Sequence, residues 1–247
     1  MNKFLSKLKD YLCDLIYPKH IKCIFCDEEL DERAKNDTCV DCKSVLPYIT
    51  RPCLRCGKQI SDGVDLICFD CKNKNFAFTS AHSVFEYSGI IISAVHRFKY
   101  SRQKFLYEPF AEYMCDKFAT LNITPDIITS VPLHTKREHE RGYNQAKLLA
   151  RFISEKFNIK YMDLCDKIKD NPSQTELDFK ARQENVLNAY KLILGVRKEI
   201  KDKSILIIDD IFTTGATTNE ISKLFLEAGA SDINVLTFAH AQHETKY

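Results

Sequence analysis

The chain has 247 residues, and its 36 lysine and arginine side chains nearly balance 34 aspartate and glutamate side chains, for a formal net charge of +2. This balance excludes a globally basic nucleic-acid coat but is compatible with local basic patches. Apolar residues make up 45% of the sequence, enough for the core of one large domain, alone or with a small module. No apolar run approaches the ~20 residues of a membrane-spanning helix. The first residues also lack the apolar stretch of a signal peptide, so we expect a cytoplasmic protein.

The first predicted element is an amphipathic helix over residues 4–16. Apolar side chains recur at helical spacing from Phe4 to Ile16, and the pattern ends before Pro18. We expect residues 1–19 to form a helix that lies against the body of the protein. A role at a membrane surface is less favoured, because acidic residues partly balance the lysines of this segment.

Residues 20–75 are unusually rich in cysteine. The chain holds 11 cysteines, and eight of them form four C-x-x-C pairs. The pairs are Cys23 with Cys26, Cys39 with Cys42, Cys53 with Cys56, and Cys68 with Cys71. A C-x-x-C turn points two sulfurs at one ion, and two such turns complete a tetrahedral four-thiolate site. The spacing therefore predicts a double zinc ribbon with two metal ions.

Other interpretations of these cysteines fit less well. A disulfide framework conflicts with a reducing compartment, buried thiols do not explain the regular pairing, and a redox C-x-x-C motif normally occurs once. Iron in a rubredoxin-like all-sulfur site is the alternative to zinc. Each four-thiolate site is closed, so both ions are expected to be structural, and chelation is expected to loosen residues 20–75 while leaving the rest folded.

The four pairs can combine sequentially, interleaved or nested. The sequential arrangement is favoured because each loop then closes a short hairpin. The remaining cysteines are expected to be packing residues: Cys13, Cys115 and Cys165.

Residues 76–247 show strands alternating with helices. The predicted strands lie at 81–87, 126–131, 204–208 and 233–238, and the predicted helices at 90–98, 105–118, 145–157 and 216–227. The run at 204–208 is continuously apolar, which is typical of a parallel strand buried on both faces. The alternation predicts an α/β domain with a mostly parallel sheet.

The stretch 205–218 carries the most informative functional pattern. A buried strand leads into Asp209 and Asp210, and a hydroxyl-rich Thr-Thr-Gly-Ala-Thr turn then enters a helix. Such a turn at a strand's carboxyl end offers N–H groups, hydroxyls and the positive end of the helix dipole to one phosphate. Sugar hydroxyls would separate that phosphate from the two carboxylates, so the chemistry predicts a ribose-5-phosphate site. The alternative is an acidic strand end followed by an ordinary threonine N-cap.

These residues resemble the phosphoribosyl-pyrophosphate signature of type I phosphoribosyltransferases. More closely, the chain resembles the ComF family, competence-associated phosphoribosyltransferase-like proteins with an N-terminal double zinc ribbon. The resemblance runs from about Cys23 to the C-terminus. The segments that carry it are the four cysteine pairs, His96-Arg-Phe-Lys-Tyr100, Val131-Pro-Leu, Arg141-Gly-Tyr-Asn-Gln145, Gln174-x-x-Leu177 with Arg182, Asn185-Val-Leu-Asn-Ala-Tyr190, and the Asp-Asp-x-x-Thr-Thr-Gly-x-Thr turn.

The resemblance implies a type I phosphoribosyltransferase-like α/β fold and roles for individual residues. The candidate catalytic residues are Asp209, Asp210, Arg182 and Lys99, with the two aspartates holding the ribose hydroxyls. The predicted ligand-binding residues are Ser130, Val131, Pro132 and Leu133 near pyrophosphate, and Thr213, Thr214, Gly215, Ala216 and Thr217 around the 5-phosphate. Magnesium would bind through the pyrophosphate oxygens. Residues 166–187 would form a mobile loop.

One stretch departs from the family pattern. Upstream of Gln174 the family usually has an arginine-bearing Leu-x-Arg sequence, and this chain has Leu164-Cys165-Asp166-Lys167. The departure weakens the expectation that a cation from this position clamps pyrophosphate.

Several charged segments have two interpretations. Four cations stand within eight residues and form either a solvated helix end or a contact for pyrophosphate or nucleic acid: Arg97, Lys99, Arg102 and Lys104. Any DNA contact is expected to use a focused groove in which Phe98 or Tyr100 stacks on bases. The stretch 134–141 is expected to be a solvated loop, and Asn144 and Gln145 are either functional or helix-capping residues.

Three functions follow as hypotheses. The first is phosphoribosyl transfer from phosphoribosyl pyrophosphate to an unknown acceptor. The second is a non-catalytic module that senses this ligand and handles single-stranded DNA during natural transformation, together with competence helicase or uptake proteins, as the resemblance suggests. The third is a zinc adaptor for partner proteins, which the acidic pair argues against.

Overall fold

The computed structural model describes residues 21–31, 34–61, 63, 65–101, 103–169 and 188–241. The chain divides into two compact units, Met1–Leu46 and Pro47–Tyr247. The predicted helix at 4–16, Cys13, Arg102, Gln174 and Arg182 lie outside the described residues. Among the described residues, no helix has the length and apolar character needed to cross a membrane.

The first unit contains one cysteine-rich ribbon. Lys22 and Glu29 pair in an antiparallel bridge that closes its first turn. Helix α1, Val40–Ser44, follows the N-cap residue Cys39, whose side chain accepts a hydrogen bond from the backbone N–H of Cys42 at 3.4 Å. The second C-x-x-C pair of this ribbon therefore lies on the first turn of a short helix.

The second unit starts with another ribbon, which contains helix α2, Phe69–Lys72. The strands that follow are β1 Ser80–Glu86, β2 Ile127–Ser130, β3 Lys160–Tyr161, β4 Cys165–Lys167, β5 Tyr190–Leu192, β6 Ser204–Phe212 and β7 Asp232–His240. The helices are α3 Ile90–Tyr100, α4 Tyr107–Ala119, α5 Thr135–Arg141, α6 Gln145–Phe157, α7 Val196–Ile200 and α8 Ala216–Glu227, with a 3₁₀ turn at Lys104–Leu106.

Five strands form a parallel sheet in the order β1-β7-β6-β2-β3. Strand β6 is central, and Ile205 to Ile208 are at most 1% exposed, because helices or the second ribbon cover both faces of the sheet. The pairing of Ser130 with Ile208 brings the carboxyl ends of β2 and β6 to the same edge. The predicted α/β fold with a parallel sheet is confirmed.

Strand β6 is longer than the sequence predicts. The apolar run ends at Ile208, but β7 pairs with β6 as far as Phe212 and His240. Asp209 and Asp210 are therefore strand residues rather than the start of a loop, and the sheet holds their backbone on one side.

The two faces of the sheet have different coverings. Helices α4 and α6 pack on one face, where the rings of Phe110 and Phe238 stack at 4.0 Å. On the other face one buried cluster joins Ile221 and Phe225 of α8 with Cys53 and Cys71 of the second ribbon. This ribbon consequently shares a core with the sheet. The predicted domain boundary after residue 75 rests only on the change in residue pattern along the sequence.

A two-stranded antiparallel hairpin of β4 and β5 was not predicted. Its strands are three residues long, too short for a periodic signal, and Lys167 pairs with Tyr190 across it. The prediction of a loop at 134–141 is wrong, since α5 forms there between the N-cap His134 and the left-handed C-cap Gly142. The prediction that Cys115 and Cys165 are packing residues is confirmed by their burial; the two side chains are at most 4% exposed.

Candidate functional site

A cavity of about 390 Å³ opens at the carboxyl end of the parallel sheet. The predicted site residues that line it are Lys99, Val131, Pro132, Leu133, Asp209, Asp210, Thr213, Gly215 and Thr217. They come from the end of helix α3, the loop after β2, and the end of β6 with the turn that follows it. The parallel arrangement brings the segments after β2 and β6 to the same edge of the sheet. Ser130, Thr214 and Ala216 are not among the lining residues.

Lys99 and Asp210 form an ion pair in this cavity. The Lys99 Nζ atom lies 2.9 Å from Oδ1 of Asp210, and the side chains are only 19% and 10% exposed. Burial disfavours the charge on Lys99, but attraction to Asp210 and their hydrogen bond outweigh it and raise the pKa of Lys99. Lys99 therefore stays charged and neutralises one of the two adjacent carboxylates.

The charge of Asp209 is sensitive to pH near neutrality. Its Oδ1 atom accepts a hydrogen bond from the backbone N–H of Asp210 at 2.9 Å. Burial and repulsion from Asp210 raise the pKa of Asp209 to about 7, although Lys99 and Lys167 act in the opposite direction. Asp209 thus gains or loses its proton close to neutral pH.

The turn after β6 presents alternate residues to the cavity. Thr213, Gly215 and Thr217 line it. Thr214 is only 5% exposed, and its hydroxyl accepts a hydrogen bond from the backbone N–H of Ala216 at 3.2 Å. Thr214 therefore stabilises the start of α8 instead of facing the cavity.

Gly215 occupies a position that suits glycine alone. Its φ is +77°, and an added Cβ would lie 2.6 Å from Cζ of Phe212 and 2.9 Å from Cε1 of Phe76. We expect Gly215→Ala to lower the free energy of unfolding by about 1–3 kcal/mol through left-handed strain, measured by urea denaturation. The matched control is Gly63→Ala, because among the described residues no atom lies within 4 Å of that added Cβ. A change beyond ~0.5 kcal/mol in the control, or equal losses in both, would contradict the assignment.

The loop after β2 is fixed from two sides. The backbone N–H of Val131 donates to Ile208 O at 2.9 Å, and Nδ2 of Asn144 donates to Val131 O at 3.1 Å. The Asn144 side chain also accepts from the backbone N–H of Lys147 at 3.2 Å as the N-cap of α6. Asn144 is thus a capping residue that also positions the loop. The Ser130 hydroxyl instead bonds with the hydroxyl of Tyr161 at 3.0 Å.

The segment Arg141–Gln145 anchors the end of α3. The Tyr143 hydroxyl donates to Phe98 O at 2.6 Å, and Nε2 of Gln145 donates to the same oxygen at 3.4 Å. These bonds hold the helix turn that carries Lys99. Phe98 itself is fully buried against Phe110, so the prediction that it stacks on bases is wrong.

The rim of the cavity is aromatic and cationic. Tyr100 is 47% exposed, and the guanidinium of Arg141 lies 5.0 Å from its ring centroid. The His96 ring lies 4.9 Å from the same ring. His96, Tyr100, Arg137 and Arg141 all line the cavity. Arg137 has no sequence signal that separates it from the other charges of its segment.

The hairpin contributes two lining residues that the sequence did not assign. Lys167 and Tyr190 reach the cavity from paired positions of β4 and β5. Tyr190 hydrogen-bonds with the side chain of Thr217, and burial raises the pKa of its phenol. Lys167 belongs to the stretch that departs from the family pattern, so a cation from this stretch does reach the cavity.

The eight paired cysteines form two separate clusters. The sulfurs within each cluster lie within 4.8 Å of one another, and the clusters are Cys23, Cys26, Cys39 and Cys42, and Cys53, Cys56, Cys68 and Cys71. In each cluster the second and third sulfurs are 3.7 Å apart. This confirms the sequential pairing. Four thiolates at such distances fit a closed tetrahedral zinc site.

Comparison with known proteins finds matches for both the cysteine-rich segment and the domain that follows it. A double zinc ribbon domain model matches residues 12–72, and a phosphoribosyl transferase domain model matches residues 144–247. Competence protein F from Haemophilus influenzae is 29% identical over 231 residues, covering 90% of this chain and 98% of that protein. The chain thus resembles the ComF family in both of these parts. The resemblance predicted from the sequence is confirmed.

Two further comparisons bear on this chain. DNA utilization protein YhgH from Salmonella typhimurium is 28% identical over 203 residues, covering 80% of this chain and 87% of that protein. A solved structure of glutamine phosphoribosylpyrophosphate amidotransferase from B. subtilis, complexed with ADP and GMP, has a TM-score of 0.38 and 20% identity, covering 53% of this chain and 26% of that one. The domain models and the sheet order, rather than this distant structure, establish the phosphoribosyltransferase-type fold.

Proposed function

We propose that this chain binds phosphoribosyl pyrophosphate in the 390 Å³ cavity and transfers its phosphoribosyl group to an acceptor. The observation that carries the proposal is the position of Asp209 and Asp210 beside the turn of Thr213 to Thr217. Carboxylates suited to sugar hydroxyls and a helix N-terminus suited to phosphate line one cavity. The names of the relatives support a role of this activity in competence or DNA utilization.

The sugar and the 5-phosphate would occupy the β6 side of the cavity. Asp209 would accept hydrogen bonds from ribose hydroxyls, and Asp210 would do so while paired with Lys99. The backbone and hydroxyls of Thr213 and Thr217 would hold the phosphate, and Gly215 allows close approach because it has no Cβ.

Pyrophosphate would occupy the β2 side. The Val131–Leu133 loop would offer the backbone N–H of Leu133, because the N–H of Val131 already donates to Ile208 O and Pro132 has none. Arg137, Arg141 and Lys167 line the same cavity. Magnesium fits as an ion carried by the pyrophosphate oxygens, because Asp210 is already paired with Lys99 and the cavity shows no dedicated carboxylate cage among the described residues. When bound, it would neutralise charge on the leaving group.

Transfer requires this chain to position two partners and to stabilise charge. The bond between ribose C1 and a pyrophosphate oxygen breaks, its electron pair leaves with pyrophosphate, and C1 bonds to the acceptor, which loses a proton. Positive charge that develops on the sugar would be stabilised by the two aspartates, and negative charge on pyrophosphate by the cations opposite.

Calorimetry of the zinc-loaded full chain with phosphoribosyl pyrophosphate and magnesium tests the binding step. Saturable binding of one ligand per chain supports it, and the absence of binding overturns the proposal. Pyrophosphate release with a panel of bases and single strands as acceptors then tests transfer. If phosphoribosyl pyrophosphate binds but no acceptor leads to release of pyrophosphate, catalysis is refuted and only the binding site is supported.

The pH dependence of binding should follow Asp209. An ionised carboxylate accepts hydrogen bonds from ribose hydroxyls, and the pKa of Asp209 is about 7. Affinity should therefore rise as pH increases from 6 toward 8, by up to about tenfold for each pH unit below 7. Asp209→Asn should remove this component, and comparison of the two titrations cancels the ionisation of the ligand itself. Parallel pH profiles would contradict the assignment.

A non-catalytic role in handling single-stranded DNA is the second candidate. The half-exposed ring of Tyr100 under the guanidinium of Arg141 favours it, because such a pair suits an unpaired base. The same experiment would support this candidate over transfer if single-stranded DNA binds with an affinity that falls steeply with salt and no pyrophosphate is released.

A further inference from the structure

A second cavity, of about 490 Å³, lies on the ribbon side of residues 213–217, the turn proposed to hold the 5-phosphate (the phosphate turn). It shares Phe212, Thr213 and Ala241 with the first cavity, so these residues form the wall between the two. The second ribbon supplies most of the opposite wall, including Lys58, Phe69 and Asp70. The volume falls within the range of small-molecule sites, roughly 300–1,000 Å³.

Aromatic rings dominate this cavity. Phe69 is 70% exposed and lines it from α2. Phe76 lines it as well; its ring stacks on that of Phe78 at 4.6 Å and makes an edge contact with the ring of Phe212 at 6.5 Å. Phe212 in turn stacks on His240 at 5.0 Å. A planar ring that enters here meets aromatic side chains from the ribbon and from the sheet.

Polar groups stand among these rings. Nζ of Lys58 lies 3.5 Å from Oδ2 of Asp70, and Asn73 and Thr214 also line the cavity. Together they offer both hydrogen-bond donors and acceptors to the edge of a ring. This favours a heteroaromatic ring with polar edges over a hydrocarbon.

The local charge favours a neutral ligand over a phosphorylated one. Cys56 and Cys71, which line the cavity, belong to a four-thiolate zinc site with a formal charge of −2. That charge and Asp70 together outweigh Lys58 and Lys74, the lysines that line the cavity. A phosphate or a nucleic-acid backbone would therefore gain no net attraction here.

We propose that the second cavity binds a neutral, planar heteroaromatic ring of the size and polarity of a free nucleobase. The ring stacks against Phe69 on the ribbon side and lies behind the phosphate turn, separated from the first cavity by Phe212 and Thr213. This site is distinct from the aspartate pair, and its occupation does not require phosphoribosyl pyrophosphate.

Adenine is a suitable probe. Its binding to the zinc-loaded full chain is measured by calorimetry and ligand-detected NMR in the absence of phosphoribosyl pyrophosphate. We expect saturable binding that Phe69→Ala weakens about five- to a hundredfold, the range for loss of one base–aromatic stack. Phe69 is largely exposed, so this variant should keep its fold and its zinc. Phe105→Ala is the matched control, because Phe105 is 63% exposed and does not line this cavity. It should leave adenine affinity unchanged.

Two outcomes would overturn the proposal: no adenine binding, or equal adenine affinity in wild type and Phe69→Ala. The double variant Asp209→Ala/Asp210→Ala should still bind adenine. A wild-type chain that binds adenine but not phosphoribosyl pyrophosphate would contradict only the proposed function, whereas one that binds phosphoribosyl pyrophosphate but not adenine would contradict only the second-cavity proposal.

Discussion

Replacing Asp209 and Asp210 together with alanine should weaken binding of phosphoribosyl pyrophosphate by on the order of 10²- to 10⁴-fold. Each substitution removes charge-assisted hydrogen bonds to the ribose hydroxyls, worth about 1.5–3 kcal/mol apiece, and each 1.4 kcal/mol corresponds to about a factor of ten. Loss of Asp210 also leaves the largely buried ammonium of Lys99 without its 2.9 Å partner. Calorimetry of the folded double variant measures the effect.

The matched control removes two carboxylates at the opposite edge of the sheet. Asp126 precedes β2 and Asp232 begins β7. The Asp126→Ala/Asp232→Ala variant therefore also removes two negative charges, but at the amino ends of the strands, far from the cavity. It should change the affinity by less than about twofold, a difference well under 1 kcal/mol. Zinc content should stay at two ions per chain in both variants. Unchanged affinity in the Asp209/Asp210 variant would contradict the ribose assignment.

Loss of the second zinc site should weaken ligand binding, whereas loss of the first should not. The second ribbon leads directly into Phe76, which packs against Phe212 at the end of β6 and against Gly215 in the turn that follows it. The backbone N–H of the next residue, Ala77, donates to Oδ1 of Asn219 in α8 at 2.7 Å. Because structural zinc supplies folding energy to its ribbon, removing it should release this support from the turn.

Two double variants separate the sites. Cys68→Ser/Cys71→Ser should reduce bound zinc from two ions to one and lower the affinity for phosphoribosyl pyrophosphate at least tenfold. Cys39→Ser/Cys42→Ser should lose one ion as well but change the affinity less than about twofold, since that cluster belongs to the other compact unit. Metal analysis and calorimetry provide the readouts. Equal affinities in the two variants would rule out a special role for the second ribbon.

This expectation replaces the one drawn from the sequence, in which chelation loosens residues 20–75 and leaves the following domain intact. The change comes from packing. Cys53 and Cys71 lie in the same buried cluster as Ile221 and Phe225 of α8, so the second ribbon forms part of the core of the sheet. Chelation should consequently destabilise the sheet domain too, which hydrogen exchange in α8 would detect.

Elements with strong local signals were predicted well. The helices at 145–157 and 216–227 agree with α6 and α8 at both ends, because each has a clear apolar period and a recognisable cap. The short strands β3, β4 and β5 were not predicted, since two or three residues carry no measurable period. The extension of β6 to Phe212 also escaped prediction, because pairing with β7, rather than side-chain polarity, keeps Asp209 and Asp210 in the strand.

By itself, the sequence determined the chemistry that depends on short spacings. The C-x-x-C pairs specify two four-thiolate sites, and the turn after Asp210 predicts a helix start suited to phosphate, because few other structures require those residue types at those intervals. Only the tertiary structure decided which distant groups modify that chemistry. Lys99 pairs with Asp210 across more than a hundred positions of the chain, and Lys167 reaches the same cavity from a hairpin. Such contacts depend on strand order and on how helices and ribbon pack, so no local pattern in the sequence encodes them.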